Sequence, residues 1–310
     1  MAKKYSLFLI TLHIVFSIHS QVVETLRLSD FDLKGNVKSC MVLTDYGKEL
    51  LEFDKKGRLE KIVTQYNEND QDITQFKYLD GILVEKRLES YKNGKLDLQT
   101  SMANFYEFDT ISESKRVVEK IISYDKAFFE EQEFFLNDND KVEKIITSHG
   151  DGVDEKQIEY SDFKGEQTTT TFLNGVIENS IRKSKKKMKN GEESIFELTK
   201  DFVDGEPEKA IEKQYNASGN LISEEFFDYD IEKKQFVSTE KRIMKYSKEG
   251  VLEKEVVLRG NATSERFFIF QFDNNEERNW VKKITTPENS YTTRRIIYYK
   301  SEDVFAKTMN

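Results

Sequence analysis

Cysteine, proline, tryptophan and histidine are all scarce in this chain of 310 residues: one Cys, two Pro, one Trp and three His. A single cysteine, Cys40, excludes an intramolecular disulfide and reads as a small buried hydrophobe rather than a nucleophile. His13 and His19 fall within the first twenty residues, so a processed chain would keep only His149. A multi-histidine or Cys-His zinc site then cannot be assembled, and any Ser-His-Asp or Cys-His group would have to use His149. That histidine lies in the loop-like stretch Thr147-Ser148-His149-Gly150-Asp151-Gly152, where an imidazole suits a turn cap better than a general base. With only Pro207 and Pro287, little interrupts extended strands. Gly-rich phosphate loops and a Gly-x-Ser-x-Gly elbow are also missing. No cofactor, no metal and no catalytic residue is expected, and the chain is read as a non-enzyme.

The N-terminus predicts export. Lys3 and Lys4 form a basic start, Leu7 to Ile18 is mostly apolar, and the small Ser20 precedes Gln21, the layout of a secretory signal peptide cleaved after Ser20. The apolar run is too short to cross a bilayer, which takes about 20 residues, and nothing later approaches that length. Residues 21–310 are then expected as one domain, secreted or periplasmic, with no membrane span. Loss of Lys3 and Lys4 leaves 46 basic against 57 acidic residues, a net charge of −11, which argues against a nucleic-acid partner.

What the chain does have is a recurring unit: an aromatic residue, a few polar residues, a glycine, then an apolar residue opening a charged strand. It reads Phe53-Asp54-Lys55-Lys56-Gly57-Arg58-Leu59, Tyr215-Asn216-Ala217-Ser218-Gly219-Asn220-Leu221 and Tyr246-Ser247-Lys248-Glu249-Gly250-Val251-Leu252. Each copy is a strand end, a turn and a strand start, so Gly57, Gly219 and Gly250 are expected in equivalent turns. Asn137-Asp138-Asn139-Asp140 fits the same unit, with Asp140 standing where Gly57 stands, better than it fits a calcium loop. Six further pairs, Asp80-Gly81, Asn93-Gly94, Asp151-Gly152, Asn174-Gly175, Asn190-Gly191 and Asp204-Gly205, suit type I′ hairpin turns. They would set Tyr91 across from Leu96 and Phe172 across from Ile177. A short helical or irregular piece is open around Asp109 to Lys115. The expected fold is all-β: antiparallel hairpins forming an extended, twisted or curved sheet, long and thin, since the apolar fraction of 37% is too small for a thick core.

Other features have plain readings. The basic run Arg182 to Lys189 enters a turn and returns as Glu192-Glu193, so opposite charges face each other across a solvated hairpin. Asn216-Ala217-Ser218 and Asn261-Ala262-Thr263 match the glycosylation pattern, although Asn216 is explained by its turn. Trp280, the only tryptophan, is a possible ligand-stacking platform; the competing reading is a packing residue at the end of the sheet.

These units resemble the YD repeats of the RHS class, and the chain resembles short exported bacterial proteins of that type, common in Bacteroidota. The likeness rests on Leu33-Lys34-Gly35-Asn36-Val37-Lys38-Ser39 near the start, and on Phe272-Asp273, Arg278-Asn279-Trp280 and Tyr291-Thr292-Thr293-Arg294-Arg295-Ile296 near the end. It spans about residues 31 to 299 and departs at Arg278, where Gly is usual. The resemblance implies β architecture and an envelope or secreted location without a reaction. Too little chain follows the last strand for a toxin domain, and the length is short for a closed shell. The function expected is therefore binding or scaffolding of an envelope protein or glycan. The alternative is a carboxylate-based polysaccharide hydrolase, or a glycan-binding protein, with Trp280 as the sugar platform.

Overall fold

The computed structural model describes residues 22–44, 47–109, 115–189 and 191–300. The expected signal peptide, and most of the open stretch after Asp109, lie outside the described residues. Within them the chain forms twenty strands. The first ten are β1 (Val37–Thr44), β2 (Gly47–Phe53), β3 (Leu59–Gln65), β4 (Gln71–Leu79), β5 (Ile82–Lys92), β6 (Lys95–Asp109), β7 (Arg116–Ser123), β8 (Phe129–Leu136), β9 (Val142–His149) and β10 (Gly152–Phe163). The rest are β11 (Glu166–Leu173), β12 (Val176–Lys187), β13 (Glu193–Val203), β14 (Glu206–Tyr215), β15 (Leu221–Asp230), β16 (Gln235–Tyr246), β17 (Leu252–Arg259), β18 (Ala262–Phe272), β19 (Trp280–Thr286) and β20 (Ser290–Tyr298).

Every strand pairs antiparallel with its sequence neighbours, and β20 pairs with β1, setting Ile296 opposite Cys40 and Arg294 opposite Val42. The all-β, hairpin-built class is as expected, but the sheet is a closed ring of twenty strands rather than an open or curved ribbon. Closure removes both sheet edges, which an open ribbon of this length would leave unpaired. This finding overturns the resemblance to YD/RHS proteins and the expectation of an extended, twisted or curved sheet.

The recurring unit has a definite geometry. In residues 54–58, 137–141, 216–220 and 247–251 the first residue's N–H bonds the fifth residue's carbonyl, and the fourth residue's N–H bonds back to the first. The side-chain oxygen of Asp54, Asn137, Asn216 or Ser247 accepts from the third and fifth N–H groups. The fourth residue is left-handed: Gly57, Asp140, Gly219 and Gly250 have φ of 73°, 56°, 82° and 81°. Residues 188–192 repeat the backbone pattern with Gly191 at φ 88°, so this connection is the longer turn and not a two-residue one. The loop from Asp273 to Asn279 is a longer version, with Arg278 taking the left-handed position at φ 50°. Asp80-Gly81, Asn93-Gly94, Asn174-Gly175 and Asp204-Gly205 are tight turns with both φ positive, and Tyr91 faces Leu96 and Phe172 faces Ile177. At the β9–β10 connection the turn is Gly150-Asp151, since His149 pairs with Gly152.

A register shift accompanies the longer turns, at Phe53, Leu136, Tyr215, Tyr246 and Phe272. Even-numbered strands thereby deliver Phe53, Tyr78, Tyr160, Tyr215, Tyr246, Phe272 and Tyr298 toward one mouth of the barrel. Three of these tyrosines act as latches: the hydroxyls of Tyr78, Tyr160 and Tyr246 donate to the carbonyls of Leu59, Val142 and Leu221, at the start of the preceding odd strand. The Tyr215 hydroxyl is buried and has no hydrogen-bond partner among the described residues. Tyr246→Phe is accordingly expected to cost about 1 kcal/mol in a denaturant titration, whereas Tyr215→Phe should cost nothing or stabilise.

Twenty strands about 4.8 Å apart make a wall of roughly 100 Å or more around, far more than side chains can fill. Alternation identifies the inner face, because side chains crowd on the concave side. Along β10, Asp154, Lys156, Ile158 and Tyr160 are half-buried while Val153, Glu155, Gln157 and Glu159 are exposed. Along β18, Phe268, Phe270 and Phe272 are half-buried and Phe267, Ile269 and Gln271 exposed.

Full burial is concentrated where residues 22–36 cross this inner face as a strap. The strap bridges to the β2–β3 turn at Arg27–Arg58, makes a 3-10 turn at Leu28–Phe31 and enters β1. Beneath it Leu33, Val37, Cys40, Leu51, Phe53 and Leu59 form one buried cluster, and Val23 packs with Leu83 and Val117 in a second. The inner wall is apolar under the strap. Beyond it, from β10 to β18, the same face carries Lys156, Lys183, Glu197, Lys213, Glu224, Arg242, Glu255 and Arg266, alternating with Ile, Thr and aromatic residues.

Candidate functional site

Sequence position alone singles out His149 and Trp280, and the barrel separates them. His149 ends β9, where its Nε2 lies 3.2 Å from Asp154 Oδ2 and its Nδ1 accepts from the Asp151 N–H at 3.3 Å. Both ring nitrogens are thus engaged in closing the β9–β10 turn. Among the described residues no hydroxyl or thiol shares a hydrogen bond with this ring. Two inner-wall carboxylates are likewise tied to cations: Glu224, almost fully buried, has Lys213 and Arg242 each at 3.8 Å, and Glu240 pairs with Arg242 and Arg259. Lys183 of the basic run bonds Glu197 at 3.0 Å, and Lys187 faces Glu193, as the hairpin reading expects. Among the described residues no group of three His, Cys, Asp or Glu side chains could hold a metal.

Trp280 opens β19 beside the strap. Its Nε1 donates to Asp32 Oδ2 at 2.7 Å, the Arg294 guanidinium lies 3.5 Å from its ring centroid, and Phe270 meets it edge-on at 5.9 Å. Arg294 in turn donates to the carbonyls of Phe31 and Asp32, so it ties the strap to the ring. Asn279, buried, both accepts from the Lys34 N–H and donates to the Lys34 carbonyl, a second tie. None of these contacts is visible in linear spacing, since they join residues about 245 to 263 positions apart.

Next to this junction the rim opens into a cleft of about 380 Å³ on the inner face. Its aromatic side is Tyr246, Phe270, Phe272 and Trp280, and its cationic side is Lys34, Arg278 and Lys283. Asp32 and Glu249 also border it. Burial and the nearby Arg294 hold the Lys283 ammonium below the usual lysine range, and burial does the same to Arg294. Aromatic groups and cations thus converge here around an opening of ligand size.

The seam beside it holds two titratable acids, Cys40 buried and Glu49 half-buried. Burial pushes the Cys40 thiol up to about 11, which leaves it protonated and unreactive at neutral pH. Burial also raises Glu49 above its ordinary 4.5, although Arg294 opposes the shift. A carboxyl with a raised folded pKa binds its proton more tightly folded than unfolded, so it subtracts stability as pH climbs above 4.5 and not below. Glu49→Gln should therefore melt higher than the parent at neutral pH, and the difference should close as the pH is taken below 4.5.

No family model matches the chain, and no curated protein matches it. Among solved structures, a porin-like protein from Bacteroides uniformis ATCC 8492 is 11% identical, with 84% of this chain and 98% of that one covered, at a TM-score of 0.32. A porin-like protein from Bacteroides vulgatus ATCC 8482 is also 11% identical, with 85% and 98% covered, at a TM-score of 0.22. Similarity at that level carries no argument about this chain, whose reading rests on its own geometry.

Proposed function

We propose that the chain is a non-catalytic, exported binding barrel that works in water, in the periplasm or outside the cell. One observation carries this reading: charged side chains occur on both faces of the wall, while the inner face keeps an aromatic and cationic cleft open at the strap mouth. On the outer face stand Lys48 and Glu52 of β2, Lys61 of β3, Glu85 and Arg87 of β5, Glu155 and Glu159 of β10, and Lys241 and Lys245 of β16. A lysine or arginine on a lipid-facing strand costs roughly 2–4 kcal/mol at the bilayer midplane, and many such positions together oppose insertion. Support for the non-catalytic part comes from His149 and Glu224, whose polar atoms already serve the wall.

Fractionation of the native host tests the location. The reading expects mature protein beginning at Gln21 and released without detergent; protein extracted only with detergent would replace it with a membrane barrel. Pull-down with the mature protein from envelope extract, alongside a panel of polysaccharides assayed for cleavage, tests the activity. Turnover lost on Glu224→Gln or His149→Ala would establish the hydrolase instead.

A further inference from the structure

We infer that the strap-mouth cleft binds an acidic saccharide, a sugar carrying carboxylate or sulfate groups, with Lys283 as its central cation and the Tyr246, Phe270 and Phe272 side as its apolar wall. The inference rests on the binding reading above and names its ligand class.

Charge pairing is sparse at this cleft. Along β12 to β18 five inner-face cations, Lys183, Lys213, Arg242, Arg259 and Arg266, each lie within 4 Å of a carboxylate, although Lys185 on the same face faces Ile195 instead. At the cleft, among the described residues, Lys34, Arg278 and Lys283 make no ion pair that close; Glu249 acts on Arg278, and Asp32 and Glu255 on Lys283, only from farther off. Arg278 and Lys283 instead lie over the rings of Phe272 and Phe268, at 5.2 and 5.1 Å from the centroids. Asp32, which could have neutralised Lys283, is held by the Trp280 indole. In a chain with a net charge of −9, three cations, Lys34, Arg278 and Lys283, border this one opening against two carboxylates, Asp32 and Glu249. A partly desolvated ammonium with no counterion in direct contact is costly, and an anionic ligand is a group that would relieve it.

The remaining lining selects the kind of anion. An opening of about 380 Å³ is too large for a free inorganic ion and falls in the range of small-molecule sites. Aromatic carbon on one side, with Asn220 and Glu249 bordering the other, matches a sugar ring, which offers apolar C–H faces and polar edges. Whether the charge is carboxylate or sulfate is left to the titration, since a lysine reads either as a point anion.

The chain supplies its own reporter, because Trp280 is its only tryptophan and borders the cleft. Tryptophan emission of the mature protein would be followed while adding oligogalacturonate, a sulfated oligosaccharide, the methyl-esterified neutral oligogalacturonate and sodium sulfate. The expected result is saturable change with one or both anionic sugars, weakening as salt is raised, and little with the neutral ester or sulfate alone. Lys283→Gln and Arg278→Gln should each weaken binding about tenfold, with Lys156→Gln, outside the cleft, as an unchanged control. Circular dichroism melts of each variant separate lost binding from lost folding; if Lys283→Gln unfolds, Arg278→Gln on the rim still decides. Equal binding of the neutral ester, no saturable response to either anionic sugar, or full affinity in the folded variants would overturn the inference. In those cases a protein or neutral glycan recovered in the pull-down would leave the broader binding reading standing.

Discussion

Phe53→Ala is expected to destabilise the barrel by roughly 3–5 kcal/mol, the largest effect of any single truncation in this chain. The ring is 1% exposed and meets Phe31 of the strap edge-on, with centroids 5.6 Å apart. It packs with Leu51, Leu59 and Leu33, all nearly inaccessible. Truncation would leave a cavity beneath the strap at the point where β1, β2 and β20 close the ring. The same change at Phe268, half-buried on an uncovered stretch of inner wall, removes less burial and leaves no enclosed void. Urea titration of the two variants would check the contrast. Equal losses would mean that the strap cluster is no more than an ordinary piece of wall.

That contrast also marks what could be read from residue order. Turn chemistry was legible because it is local: Asn93-Gly94 needs only its own two residues to fix a hairpin, and Asp54 caps the turn it begins. Lys164-Gly165 escaped, although it makes the same tight turn with φ of 55° and 79°, because lysine is no turn former and only its glycine gave a hint. Closure was not legible. Backbone hydrogen bonds between β1 and β20 carry no side-chain signature, and the pairing of Cys40 with Ile296 looks like any other apolar pair. Hairpins of this kind twist, and whether they run on as a ribbon or meet depends on accumulated curvature rather than on any residue.

The cleft shows the same division. Trp280 could be singled out by rarity: its indole N–H and the Arg294 stack hold the strap, and it is among the residues that line the opening. Lys283 had no distinguishing mark among 48 basic residues. Its position at the cleft is a property of register across β18 and β19, where it faces Phe270 and has no carboxylate directly opposite. The Arg278 departure was visible as a lost glycine, and the structure shows that its longer loop carries the turn to Asn279 and Trp280 and puts a guanidinium at the cleft.

Valine substitution at the recurring glycines should separate backbone strain from tertiary fit, with Gly57→Val losing clearly more stability than Gly219→Val. Both glycines are left-handed, at φ of 73° and 82°, a region that costs a residue with a Cβ about 1–2 kcal/mol and a β-branched one more. At Gly219 nothing lies within 4 Å of an added Cβ, so strain is the whole cost there. At Gly57 the new Cβ would sit 3.1 Å from Leu28 Cδ1, and the Gly57 carbonyl also accepts from the Leu28 N–H. Valine at 57 therefore pushes on the strap that covers Leu59 and Phe53, adding a packing loss of about 1–3 kcal/mol to the strain. Gly57→Asn tests the partition, since asparagine tolerates positive φ: it should recover much of the strain but keep the clash, whereas Gly219→Asn should come close to the parent. Thermal melts of the four variants decide it. If both valine variants fell by the same amount, the strap would contribute nothing at this turn, and its role in holding the closed ring would have to be given up.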